Sequence, residues 1–370
     1  MGKPLGVGVV GLGKISDQYF TTIGRREELE IVAVADLDEE RARSVASRLG
    51  VSALSVDDLM ASSAIDVVLN LTVPAAHAEV SLQAVRAGKS VFVEKPLALK
   101  TDDGKQLLRE AELAGVRVGC APDTVLGTGV QTAIDVLDRG EIGEVVGASA
   151  VWSAPGHELW HPSPLFYYQP GAGPLLDMGP YYITALVAML GPVARIVGHT
   201  SRSERNRHVA TGPLAGTEVP VDVETHINAI LIHESGVSSN VTMSFDVWAT
   251  RMSGFEVYGT QGTIALPRPF QFSEKLDIFR AGSDEWEVVD DRAGYKNGGR
   301  GIGLAEMADA IEADRPHLAS GDLALHVLDV MNSVLDAGRS GSVIEMHTRL
   351  DRPQPAAWSA SGRAADAITL

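Results

Sequence analysis

Short runs made almost wholly of apolar, often β-branched residues alternate with helical stretches through the first third of the chain, and this constrains the fold more than any other feature. The runs are LGVGVV, IVAVAD, DVVLNL, SVFVE and VRVGC, and the pattern between them predicts helices near 14–26, 38–49, 76–87 and 101–114. A strand that alternates apolar and polar residues can leave one face in water, but a run with no polar face must be covered on both. Such strands, separated by helices, predict an α/β doubly wound parallel sheet of the Rossmann type over residues 1–122.

Past residue 122 the rhythm changes. A helix is expected near 127–139, ended by Gly140, then a strand at EVVGASAVW and a helix near 177–190. The runs VETHINAILIHESGVSSNVTMSFDVW and GFEVYGTQGTIAL follow, with ESG and TQG placed as hairpin turns. With closing helices near 303–314 and 321–338, residues 123–345 read as an α+β domain around an open, mainly antiparallel sheet. Residues 346–370 are small and polar enough to form a tail.

Composition removes several classes of function. The 370 residues carry 48 acidic against 31 basic side chains, a formal charge of −17, which argues against a polyanion such as nucleic acid as partner. Cys120 is the only cysteine, so there is no intrachain disulfide, and a reducing, cytoplasmic compartment fits. The N-terminus lacks a signal-peptide pattern and has Gly6 where myristoylation needs Ser or Thr. No run of about eighteen apolar residues occurs, so no membrane span is expected.

GVVGLGKIS places Gly11 and Gly13 directly after the first strand and before a helix. Missing side chains let the backbone turn tightly and approach a pyrophosphate, whose charge a helix N-terminus favours. Ser16 stands where the fingerprint's third glycine would be. Asp36 closes the next strand, where a carboxylate can bind a ribose 2′-hydroxyl and would repel a 2′-phosphate; its alternative is to cap the helix beginning at Leu37 or Asp38. Strand, glycine turn, helix, strand and acid together favour NAD, and NADP less.

With LTVPAAHAEVSLQAVRAGKSVFVEKPLA and GAGPLLDMGPYY the chain resembles the glucose-fructose oxidoreductase, inositol dehydrogenase and MocA family over roughly residues 4 to 345. The resemblance implies that Lys95 of the EKP segment reaches both the nicotinamide ribose and the substrate, with a cis bond at Pro96. It implies cofactor contacts at Thr72, Pro74 and His77, although His77 could instead cap the following helix. With Gly11, Gly13, Lys14, Ile15, Asp36, Glu94 and Lys95, these make up the expected cofactor site. Asp123 and Thr124 fall where the family lines its substrate pocket; the family often has Arg or Asn there, so substrates do not transfer from its well-known members.

The family pattern also puts an Asp and, four residues later, a His or Tyr on one helical face, here Asp177 and Tyr181. Tyrosine aligns the chain with the glucose-fructose oxidoreductase-like branch. Oxidising an alcohol requires removal of the hydroxyl proton as hydride leaves carbon. A phenol with a pKa near 10 is a poor base at neutral pH, but an adjacent ammonium favours the phenolate. Lys95 would tune Tyr181 and stabilise the developing alkoxide, and Asp177 would orient the substrate. Tyr181 as a plain core aromatic is the competing reading.

The stretch HELWHPSPLFYYQPGAG packs aromatics and polar tips suited to stacking on a sugar, with Trp160 and His161 as substrate-loop candidates. His157 and His161 are four apart, but prolines at 155, 162 and 164 argue against the helix a metal pair would need, and no metal is expected. His326, in an apolar helix, reads as packing. The expectation is therefore an NAD-dependent oxidoreductase acting on a sugar or polyol alcohol, a homodimer or homotetramer paired through an apolar outer face of the second sheet. Two alternatives are a glycoside-cleaving enzyme that oxidises transiently with tightly held NAD, and a non-catalytic sugar or NAD sensor.

Overall fold

The computed structural model describes residues 3–203 and 205–356. The chain divides into two compact units. One holds the chain up to Thr128 together with Ala293–Leu328 and the last described residues, from Gln354, and the other holds Gly129–Arg292 and Asp329–Pro353. The sequence partition at 122 and 345 thus misses a return: Ala293–Leu328, assigned above to the second domain, belongs with the first.

The first unit contains β1 (Leu5–Val10), α1 (Ser16–Ile23), β2 (Leu29–Ala35), α2 (Glu39–Leu49), β3 (Ser52–Ala53), α3 (Val56–Ala61), β4 (Val67–Asn70), α4 (His77–Arg86), β5 (Ser90–Val93), α5 (Thr101–Ala114) and β6 (Val118–Cys120). The six strands pair in parallel in the order β3-β2-β1-β4-β5-β6. β4 is buried along its whole length, as a strand sandwiched between helices must be. Glycine stops the helices where expected: Gly50 ends α2 and Gly115 ends α5, both left-handed at φ 71° and 68°.

The second unit begins with α6 (Thr128–Asp138), whose first residue still counts with the first unit. It continues with β7 (Val145–Ser153), α7 (Pro174–Leu190), β8 (Val193–Ser201), β9 (His226–His233), β10 (Ser238–Ser244), β11 (Gly254–Gly259), β12 (Gly262–Leu266), β13 (Leu276–Arg280) and β14 (Glu287–Val289). After α8 (Ile302–Glu312), which lies in the first unit, α9 (Gly321–Ser340) and β15 (Ile344–Glu345) close the described fold. The sheet runs β14-β13-β12-β11-β7-β10-β9-β8-β15, antiparallel except for the β7–β10 pair. The turns after Glu234 and Thr260 fall in the β9–β10 and β11–β12 hairpins, where ESG and TQG predicted them.

Two expectations need correction. Along β9, Ile227, Ala229 and Leu231 are buried while Asn228 and Ile230 are exposed, and Ile230 pairs with Asn240 and Val197. The outer face of the sheet is therefore mixed rather than apolar. The tail also begins later than 346. The Met346 amide donates to Ala194 at 2.9 Å, Thr348 Oγ1 to Asp329 at 2.9 Å, and Arg352 to the Ala188 carbonyl at 2.9 Å and Asp138 at 2.7 Å. Residues 357–370 lie outside the described residues. Among the described residues, no helix is long and apolar enough to cross a membrane.

Candidate active site

In the first unit the glycine turn is shaped by its neighbours. Gly11 has φ +92°, and a Cβ there would stand 2.7 Å from the carbonyl of Leu71 and the nitrogen of Thr72. Only glycine fits where the first turn crosses the end of β4. Gly13 differs: an added Cβ would meet nothing within 4 Å. Protein packing does not demand glycine at 13, whereas close approach by a pyrophosphate does. Ser16, buried in place of the third glycine, donates its hydroxyl to the Gly13 carbonyl at 2.8 Å, and α1 has no side-chain cap on its first amides. Lys14 is exposed and Ile15 half-buried on this turn. These features fit a dinucleotide phosphate at the α1 N-terminus. Gly11→Ala is expected to weaken NADH binding and destabilise the unit by about 1–3 kcal/mol, read by NADH titration and urea unfolding; wild-type values in both would refute the steric account.

Asp36 is not a helix cap. Its Oδ2 accepts from the Leu12 amide at 2.7 Å and its Oδ1 from Asp38 at 2.9 Å, with Arg41 at 3.4 Å, while Asp38 caps α2 by accepting from Arg41. The carboxylate therefore ties the glycine turn to the end of β2, the place a ribose acceptor occupies in this topology.

The EKP turn leaves β5 at the carboxyl end of the sheet. Lys95–Pro96 is cis, as expected, and so is Ala121–Pro122. Glu94 is buried, and its oxygens accept from Tyr19 Oη at 2.8 Å, Arg300 at 3.2 Å and the Lys95 amide at 2.9 Å. Burial, and then the Glu94 charge, push the Tyr19 phenol well above its usual pKa, so it stays a donor. Glu94, expected at the cofactor, is committed to holding the turn. Lys95 is half-buried.

His77 is also a correction. It neither caps α4 nor offers a ring nitrogen to a ligand: Nδ1 lies 2.7 Å from the Pro96 carbonyl and Nε2 3.1 Å from the Thr72 carbonyl, and the side chain is buried. Burial lowers its pKa, against the pull of the two carbonyls. The ring clamps the turn after β4 to the turn after β5. Asn70, buried at the end of β4 and not singled out from sequence, works beside it. Its Oδ1 accepts from Thr72 Oγ1 at 2.7 Å and its Nδ2 donates to the His77 carbonyl at 3.0 Å. Thr72 is thereby held half-buried, with Pro74 exposed beyond it.

Asp123 does not line a pocket. It is fully buried and accepts from the Gly301 and Gly303 amides at 2.7 and 3.1 Å, anchoring the start of α8. Burial raises its pKa to about 6, against those two donors. Thr124 beside it is buried as well. Asp123 is thus taken up by the chain from 293 that returns over β6.

In the second unit, Gly173 at φ +91° and Pro174 start α7 and put Asp177 in its first turn. Tyr181 follows one turn later on the same face, buried, with its ring 6.2 Å from Phe270. Asp177 Oδ2 lies 2.9 Å from His157 Nε2, a pair that sequence reading set aside when it weighed His157 only as a metal ligand. Trp160 is 56% exposed, and His161 packs on it and on Phe166 and Tyr167. Behind this loop, buried Glu158 accepts from Arg205 at 2.6 Å, Arg207 at 2.7 Å and Tyr168 Oη. Arg207 also donates to the Phe245 carbonyl at 3.1 Å and pairs with Asp246. His326 is fully buried, in keeping with packing. Among the described residues, no group of three or more His, Cys, Asp or Glu could hold a metal ion.

The family description "Oxidoreductase family, NAD-binding Rossmann fold" matches residues 5–121, and "GFO/IDH/MocA C-terminal domain" matches residues 130–265. The chain belongs to the GFO/IDH/MocA family. It is thus an oxidoreductase whose first unit is the family's NAD-binding fold. A 1,5-anhydro-D-fructose reductase of Ensifer adhaerens is 25% identical over 354 residues, covering 93% of this chain and 99% of the relative. Inositol 2-dehydrogenase 3 of Saccharopolyspora erythraea is 29% identical over 71% of this chain and 73% of its own. Among solved GFO/IDH/MocA-like folds, levoglucosan dehydrogenase in complex with NADH and L-sorbose superposes with a TM-score of 0.80 at 20% identity, covering 93% of this chain and 99% of that one.

Of the site residues missed from sequence, only Asn70 carried a local signal, a polar residue closing an all-apolar strand. Arg300 gave none, since its partner Glu94 lies 206 positions away.

Proposed function

We propose that the protein moves hydride between NAD and a secondary alcohol or ketone of a sugar, polyol or sugar derivative. The observation that carries the proposal is the EKP turn, braced by Glu94, Tyr19, Arg300 and His77 at the carboxyl end of the sheet, in a family whose relatives are named for sugar and inositol chemistry. The nicotinamide ring supplies the hydride acceptor or donor when bound. Lys95 gives an ammonium for the substrate oxygen, Tyr181 gives or takes the proton at its phenol oxygen, and Asp177 holds a neighbouring hydroxyl. The Asp36 carboxylate favours a free ribose 2′-hydroxyl over a 2′-phosphate, hence NAD over NADP. Trp160 and His161 supply apolar and polar contacts for a sugar ring. A cytoplasmic homo-oligomer paired through the second sheet completes the proposal, supported by the free, buried Cys120 and by the exposed Ile230 and Val197.

The test is a screen of pentoses, hexoses, inositols, sugar acids, L-sorbose and 1,5-anhydro-D-fructose with NAD(H) and NADP(H), following coenzyme absorbance. We expect turnover of at least one compound, faster with NAD(H). Tight sugar or NADH binding without turnover anywhere would replace the enzyme reading with a sensor.

A further inference from the structure

We propose that His157 is a positioning residue of the active site: its Nε2–H holds the Asp177 carboxylate in place beside Tyr181. The inference rests on the functional reading above and adds a member that neither the family description nor the helix pattern supplies. His157 Nε2 lies 2.9 Å from Asp177 Oδ2, with side-chain exposures of 7% and 18%. The imidazole is fixed on several sides. Its centroid is 4.2 Å from the Tyr167 ring, 4.6 Å from Phe245, 5.0 Å from Trp160 and 6.0 Å from Trp152. Its backbone amide donates to Tyr168 Oη at 3.1 Å, and the next residue, Glu158, is anchored by Arg205 and Arg207.

The other ring nitrogen decides the role. Nδ1 is buried with no hydrogen-bond partner among the described residues. For Nε2 to donate to a carboxylate, a neutral ring must carry its proton there, which leaves Nδ1 as an unmet acceptor in an aromatic box. An imidazolium would instead leave an unmet N–H. Either form costs more than an apolar ring of similar shape, so the single bond to Asp177 is what the histidine contributes. A proton relay needs both nitrogens in contact with partners; Nδ1 meets none among the described residues, so the geometry gives His157 a holding role. What it does is fix the rotamer of the Asp177 carboxylate, presenting an oriented acceptor to a hydroxyl next to the reacting carbon. That fits a polyhydroxylated ring better than a simple alcohol.

The test uses full-length protein and two readouts. In histidine-15N-labelled enzyme, long-range proton–nitrogen NMR should report His157 as the Nε2–H tautomer, and its signals should move in Asp177→Asn. A Nδ1–H tautomer, or signals that Asp177→Asn leaves in place, would overturn the pair whether or not any sugar is turned over. On the fastest substrate of the screen, His157→Phe should lower kcat/KM about 10²-fold with NADH affinity unchanged. His157→Gln, which keeps a donor, should recover most of the loss. The His157→Phe, Asp177→Asn double variant should be hardly worse than Asp177→Asn alone. Activity of His157→Phe within about twofold of the parent, additive losses, or a Gln variant as impaired as Phe would overturn the positioning role while leaving the oxidoreductase reading intact.

Discussion

Lys95→Ala is expected to lower kcat/KM about 10³-fold on any sugar the enzyme turns over, with NADH affinity changed only a few-fold. A positioned proton-transfer group is worth about 10²–10⁴-fold and one preorganised donor to a developing oxyanion about 10²–10³-fold. A loss of about 10³-fold lies within both ranges, as expected for one lysine that combines both roles, since effects acting through a single group do not multiply. The surrounding structure makes the variant a clean one. The turn has supports besides the ammonium: Glu94 holds the residue-95 amide, Tyr19 and Arg300 hold Glu94, and His77 holds the Pro96 carbonyl. Alanine deletes the charge while those supports remain. Parental turnover by Lys95→Ala in steady-state kinetics would refute the mechanism; a large drop accompanied by lost NADH binding would move the lysine's role from chemistry to cofactor binding.

Arg207→Leu should act on stability, by about 3–5 kcal/mol in urea unfolding. The Arg207 side chain is fully buried and pairs with Glu158 and Asp246, whose side chains are 1% and 17% exposed. Attraction in a buried ion pair only offsets the cost of removing the ions from water, so the pair adds little beyond an apolar replacement of all its members. Removing the cation alone is different, because Asp246 loses its charge partner and keeps only the Ser203 and Thr225 hydroxyls, and Glu158 keeps only Arg205 and Tyr168. A loss under about 1 kcal/mol would mean that water reaches these groups. Since Arg207 anchors Glu158, the residue after His157, the variant should also loosen the His157–Asp177 contact, and His157 tautomer signals would report it.

These two variants divide along the line between what sequence displays and what it conceals. Most of the first sheet was readable because five of its strands are nearly all apolar and helices such as α2 and α5 stop at a glycine, whereas the short, exposed β3 and the six-residue α3 gave no such signal. Thr101–Ala114 matches its expected bounds, with Gly115 left-handed just beyond. Lys95, Asp177 and Tyr181 could be singled out because the motifs that carry them are local. The corrections share one cause. Asp123 looked like a pocket residue because nothing near it in sequence reveals that residues 178 and 180 positions later would take its carboxylate. His77 looked like a ligand contact because its acceptors, Thr72 and Pro96, are turn carbonyls and carry no residue-type signal. Arg207 was not singled out from sequence, and only the fold brings Glu158 and Asp246 to it. Periodicity and turn chemistry are written along the chain, whereas pairing of buried polar groups is a property of the folded core.

The return of Ala293–Leu328 to the first unit sets an order on its completion during synthesis. β6 is the last strand of its sheet, and its free side is covered by residues made much later: the Cys120 amide donates to the Ala319 carbonyl at 3.0 Å, and the Val118 carbonyl accepts from His317 at 2.9 Å. Until those residues leave the ribosome, the nascent nucleotide-binding half carries a bare strand edge and an unanchored Asp123, a state prone to pairing with other chains. The first half of this chain is accordingly not a detachable module, and grafting it elsewhere would require carrying its distant closing segment along.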